Sequence, residues 1–100
     1  MKYSLIIHPR AEADLAKTFL WYESKGVGLG SQFIYNVEAA VAFISRHPLA
    51  LRKYYKEYRR ALVRRFPYGV FYVVDEAQIS ILSVMHLAQN PEQIFEILGE

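Results

Sequence analysis

Arg60-Ala61-Leu62-Val63-Arg64-Arg65-Phe66-Pro67-Tyr68-Gly69-Val70-Phe71-Tyr72-Val73-Val74-Asp75 is the stretch on which the fold turns. In its first half Arg60, Leu62, Arg64 and Phe66 alternate with Ala61, Val63 and Arg65, the period of an extended chain. Pro67-Tyr68-Gly69 suits a turn, with proline at its second position and glycine at its fourth. Val70 to Val74 is nearly continuous apolar sequence, as a buried central strand requires. Asp75-Glu76-Ala77 supplies a second tight turn, and Ile79 to His86 is the last strand. Strands joined by short turns are antiparallel, so this half of the chain predicts a three-stranded antiparallel meander.

Upstream the period changes. Tyr3-Ser4-Leu5-Ile6-Ile7 reads as a short strand, and Pro9 fits the first position of a helix, where its missing N–H costs nothing. Leu15, Phe19 and Tyr22 recur at helical spacing, broadened by Ala11, Ala16 and Leu20, and Lys25-Gly26 gives the stop. Gly26, Gly28 and Gly30 mark a tight connection to a second amphipathic helix built on Phe33 or Ile34, Val37, Val41 and Ile44. That helix ends at Arg46-His47-Pro48, with cations in its last turn and proline after them. A polar, tyrosine-rich connection leads to the meander, and Pro91 opens a short terminal helix with Ile94, Ile97 and Leu98 on one side. The expected architecture is α+β: an N-terminal strand, an antiparallel helical hairpin, the meander and a short C-terminal helix, with helices packed on one face of the sheet. No repeat or linker divides residues 1–100, which read as a single domain.

Composition bounds the function. A chain of 100 residues, 53% hydrophobic and 15% aromatic, can close a core of its own. No apolar run approaches the roughly 20 residues of a membrane span, and the N-terminus lacks a signal-peptide core, so a cytoplasmic protein with no membrane partner is expected. Without cysteine there is neither a disulfide nor a thiolate metal site. The net charge of +2 conceals an asymmetry: residues 52–65 hold seven cations against one acid, a surplus of six, and the rest of the chain is −4. A polyanionic or acidic partner fits that segment, while a solvated strand with cationic edges fits it equally well.

Enzyme signatures are sparse. There is no phosphate loop and no zinc-binding helix, and His8, His47 and His86 are scattered, so no metal and no cofactor is expected. His86, at the end of the last strand, could move a proton beside arginines that stabilise a phosphorane, the chemistry of metal-free RNA cleavage. A lone histidine at a strand end is more commonly a hydrogen-bonded structural residue. The tyrosines that interleave with the cations could stack bases or anchor a protein partner, or fill the core.

Taken in order, Pro9-x-Ala11-x-x-Asp14-Leu15, Trp21-Tyr22-Glu23, Gly28-Leu29-Gly30-x-x-Phe33, the Arg60 to Tyr72 hairpin and Val84-x-His86 resemble the RelE/ParE superfamily of bacterial type II toxins, often labelled plasmid stabilisation proteins. The resemblance spans nearly the whole chain and implies a growth-inhibiting toxin neutralised by a cognate antitoxin. The superfamily's mRNA-cleaving branch works on the ribosome with clustered cations; here the matching positions hold Arg60 and Leu62, Gly69 follows Tyr68, and Leu87 follows His86. Arg60 and His86 are the catalytic candidates if the chain is such an endonuclease. The Phe-Pro-Tyr-Gly hairpin is closer to the ParE-like branch, which implies inhibition of DNA gyrase by binding, although Leu87-Ala88-Gln89-Asn90-Pro91 departs from the Arg-Asp-Pro usual there. Arg59, Arg60, Arg64, Arg65, Tyr68 and Tyr72 are the expected target- or antitoxin-binding set. A homodimer, a toxin–antitoxin hetero-oligomer and a degenerate member that binds antitoxin alone stay open at this point.

Overall fold

A computed structural model describes residues 2–99. The chain forms β1 (Ser4–Ile7), α1 (Pro9–Lys25), α2 (Leu29–Arg46), β2 (Lys53–Tyr55), β3 (Tyr58–Leu62), β4 (Tyr68–Asp75), β5 (Gln78–His86) and α3 (Pro91–Gly99). The strands make one sheet in the order β1-β5-β4-β3-β2. The expected meander is β3-β4-β5, antiparallel throughout. The sheet as a whole is mixed, because β1 runs parallel to β5, with Leu5 beside Ile79 and Ile7 beside Ile81. The connection read from the sequence as irregular contains β2, a three-residue strand paired with β3 through an irregular register.

The turn after β3 also differs from expectation. The strand leaves the sheet at Leu62, four residues before the alternation in the sequence ends, and Tyr68 and Gly69 belong to β4. Phe66 explains the early exit, since its ring turns inward onto Tyr22 and Phe33, at centroid distances of 4.9 and 5.3 Å. The Val63 N–H then closes the loop onto the Tyr68 carbonyl at 2.9 Å, and Arg65 takes a left-handed backbone at φ 72°.

The hairpin is held by a device the sequence concealed. The residue before α2 is Gly28, at φ 84°, and it offers no capping side chain. Glu23 of α1 reaches across instead, its carboxylate accepting from the Gly28 and Gly30 N–H groups at 2.9 Å each. A charged acceptor on otherwise orphaned helix-start donors is worth about 1–2 kcal/mol. Gly30 lets the helices touch, because a Cβ there would sit 2.7 Å from the Phe19 carbonyl oxygen.

Ala11, Phe33, Val37 and Ile44 of the hairpin bury against Val70, Tyr72, Ile79, Ile81 and Val84 of the sheet. An extra residue in β5, Leu82, makes this packing work: Phe71 opposes Ser83 while Tyr72 opposes Ile81. Such a bulge resets the pleat, so that Ile81 and Val84, three residues apart, both serve the hairpin side. The hairpin therefore covers one face only, and the expectation that the helices share that face is corrected for α3, whose Ile94 and Leu98 follow the alternate residues Phe71 and Met85 to the opposite side. On the other face Phe71 and Met85 pack with Ile94 and Leu98 of α3, bordered by Tyr54, Tyr55 and Tyr58.

Candidate functional site

The six residues expected to form one binding set are distributed by the strand period over separate surfaces. Arg59 and Arg60 are neighbours in β3, so they leave the sheet on opposite sides. Arg59 stands beside Tyr72, and its guanidinium donates to the Leu51 carbonyl. Tyr72 is fully buried and donates its hydroxyl to the Pro48 carbonyl at 3.0 Å. Together they tie the segment after α2 to the sheet. Tyr72 is thus corrected from a contact residue to a core residue, because a ring with no exposed surface cannot meet a partner. Burial pushes its phenol above the ordinary value, partly opposed by the Arg59 charge.

Arg60 lies on the other face, beside Phe71. Its stem crosses Gly69, where a Cβ would come within 3.0 Å of its Cγ, and its guanidinium rests 4.2 Å from the centre of the Tyr54 ring. Leu51, Arg52, Lys53, Tyr54, Arg60 and Leu62 line an open groove of about 550 Å³ there. Lys53 is partly neutralised by Glu57 at 2.7 Å, which in turn holds that carboxyl below its usual range. Arg64 and Arg65 are exposed on the β3–β4 loop, where they face Ser31, Gln32, Tyr35 and Asn36 of α2 across a groove of about 420 Å³. The basic segment is therefore two cationic patches, with Arg59 turned inward.

Tyr68 and His86 are brought together: they are cross-strand partners, with ring centroids 4.9 Å apart. Both border a groove of about 820 Å³ between α1, the second half of β5 and α3, with Lys17, Trp21, Gln89 and Ile97 on its walls. His86 alternates with Met85, which packs on the α3 side, so His86 and Arg60 project from opposite faces of the sheet. The His86 Nδ1 accepts the Ala88 N–H at 2.9 Å, which places the proton of the neutral ring on Nε2. In that state neither nitrogen offers a free lone pair to a substrate hydroxyl. Tyr22, nearby, has its phenol raised by burial and then by the Tyr68 phenol.

Asp14 is the residue of this groove that sequence reasoning left without a role. One of its carboxylate oxygens accepts both the Ser83 hydroxyl at 2.7 Å and the Val84 N–H at 2.9 Å. It does so where β1 stops pairing, after Ile81, and so replaces a strand neighbour for β5. The signal was present, since Asp14 stands three residues after Ala11 and beside Leu15, at the margin of the inward stripe of α1. Among the described residues, no cluster of three or more His, Asp or Glu side chains could hold a metal ion.

A mixed sheet beneath a helical hairpin is an arrangement this chain shares with solved structures of toxin–antitoxin systems. The chromosomal ParDE system of P. aeruginosa superposes with a TM-score of 0.73 at 20% identity, over 85% of this chain and 96% of that one. The toxin–antitoxin complex RelBE2 of Mycobacterium tuberculosis gives 0.58 at 24% identity, over 86% and 99%. The chain belongs to the family described as ParE toxin of type II toxin–antitoxin system, whose family model matches residues 5–91. Toxin ParE2 of Mycobacterium tuberculosis, in strains CDC 1551 / Oshkosh and ATCC 25618 / H37Rv, is 31% identical over 96 residues, 94% of this chain and 90% of the relative.

Proposed function

We propose that this toxin stops growth by binding DNA gyrase rather than by cutting RNA, and that a cognate antitoxin neutralises it. The observation that carries the reading is the separation of the candidate catalytic groups. Metal-free phosphodiester cleavage needs a proton-transfer group and cations converging on one phosphate. His86 and Arg60 lie on opposite faces, Arg60 is occupied by the Tyr54 ring, and Arg64 and Arg65 face α2. Binding makes no such demand. The groove of Arg52, Lys53, Arg60, Tyr54 and Leu62 combines cations, an aromatic ring and an exposed leucine, the composition of a protein-binding hot spot for an acidic segment.

Under this reading Arg60, Arg64 and Arg65 touch the antitoxin or target directly, with Tyr68 at the margin of the α1–β5 groove. Induction of the chain alone is expected to halt growth with loss of plasmid supercoiling before any fall in translation. Co-expression with the adjoining reading frame is expected to restore growth. Rapid translation arrest, with mRNA cut inside the ribosome and abolished by His86→Ala, would replace gyrase binding with endonuclease action.

A further inference from the structure

Seven cations crowd residues 52–65, and most are engaged within the chain. Arg59 donates to the Leu51 carbonyl, Lys53 pairs with Glu57, and Arg60 and Lys56 lie over the rings of Tyr54 and Tyr55. Arg64 and Arg65 differ: both are exposed, and among the described residues no acid, carbonyl or ring meets either guanidinium. Consecutive residues of a strand diverge to opposite faces. The left-handed backbone of Arg65, at φ 72°, ends that alternation, and both side chains line one groove of about 420 Å³ with Ser31, Gln32, Tyr35 and Asn36 of α2. None of these six residues is an acid, residues 24–37 and 58–74 contain none, and Glu23 is turned to the Gly28 and Gly30 N–H groups.

The lining of this groove has a chemical signature. Arginine, serine, asparagine, glutamine and tyrosine side chains are groups that hold the phosphate and sugar oxygens of DNA, and the groove is lined by nothing else. A protein-binding patch adds apolar anchors, which the Arg60 groove has in Leu51 and Leu62 and this one lacks. Tyr35, 71% exposed, is the one ring here, too few to stack a run of unpaired bases. We infer that the Arg64-Arg65 groove grips the phosphate backbone of duplex DNA, an inference that rests on gyrase, an enzyme of duplex DNA, being the target. The Arg60 groove is then left to protein. Two guanidinium groups neutralise about two phosphates, so the affinity lies at the weak end of non-specific binding, with a Kd of the order of 100 µM at physiological salt. Such a contact gains its effect by acting beside a protein contact on the same gyrase–DNA complex.

The test is fluorescence anisotropy of a labelled duplex of about 20 base pairs, titrated with the purified chain to about 500 µM in roughly 50 mM salt. Binding is expected to be saturable and indifferent to sequence, with log K falling against log salt at a slope of about −2. Arg64→Gln/Arg65→Gln is expected to weaken it about tenfold or more and to flatten the slope by about one per arginine. Arg52→Gln/Lys53→Gln removes the same charge from the other groove and is expected to change binding less than about twofold. Gln32→Glu sets a carboxylate against Arg64 and Arg65 and is expected to weaken binding about threefold or more. If the arginine variant fails to fold, Gln32→Glu decides, since Gln32 is exposed and an acid suits the start of α2. No binding at low salt, equal losses in the two double variants, or tighter binding of poly-glutamate through the same arginines overturns the proposal. Gyrase is absent from this assay, so the two readings fail separately: duplex binding by a chain that leaves supercoiling intact removes gyrase as the target, and gyrase inhibition by a chain that ignores the duplex removes the DNA contact.

Discussion

Arg59 and Arg60 sit side by side in one strand and answer to different faces of the sheet. On the hairpin side polar groups are used internally: Arg59 holds the Leu51 carbonyl, Tyr72 the Pro48 carbonyl, and Asp14 the edge of β5. On the opposite face Arg60 is held by the ring of Tyr54 and the space above Gly69, at the wall of an open groove. A run of basic residues is therefore no unit of function. The pleat assigns each cation to scaffold or surface, and mutations should sort by that assignment rather than by charge.

The largest effect is expected at the hairpin-side carboxylate. Asp14→Ala leaves the buried Ser83 hydroxyl and the Val84 N–H without their acceptor and should cost about 2–4 kcal/mol, read by urea denaturation. Arg59→Ala should cost about 1–2 kcal/mol through the lost bond to Leu51. Arg60→Glu is the counterpart on the open face: within about 0.5 kcal/mol of the parent in stability, but weaker in antitoxin binding by tenfold or more. Equal losses of stability at Arg59 and Arg60 would erase the distinction between the faces.

The smallest effect concerns pH. The folded-state pKa of Tyr72 is raised above the ordinary value of 10.0, so its contribution is full below that pH and is lost as pH rises through the folded value. Tyr72→Phe should remove this alkaline loss while costing about 1 kcal/mol at neutral pH for the missing bond to Pro48. An unchanged alkaline transition in that variant would assign the loss to other phenols.

Much of this arrangement could be read from the residues. Helical spacing gave both arms of the hairpin, Gly26, Gly28 and Gly30 marked the connection that the structure places at residues 26–28, and the apolar run of β4 marked the central strand. Alternation already placed Arg59 opposite Arg60, and a central strand already implied a buried Tyr72; the sum of the charges obscured both. β2 escaped because three residues with an irregular register display no period. The loop at Arg64-Arg65 escaped because its cause is distant, in the rings of Tyr22 and Phe33 that draw Phe66 inward. Asp14 bonds to residues about seventy positions away, and no local pattern encodes such a contact.

The most direct test of binding without catalysis is a supercoiling assay with purified gyrase, relaxed plasmid and this chain. Inhibition is expected to persist in His86→Ala and to be lost in Arg60→Glu. Gyrase that works undisturbed beside the purified toxin, while ribosome-bound mRNA is cut in a parallel reaction that His86→Ala abolishes, would contradict it.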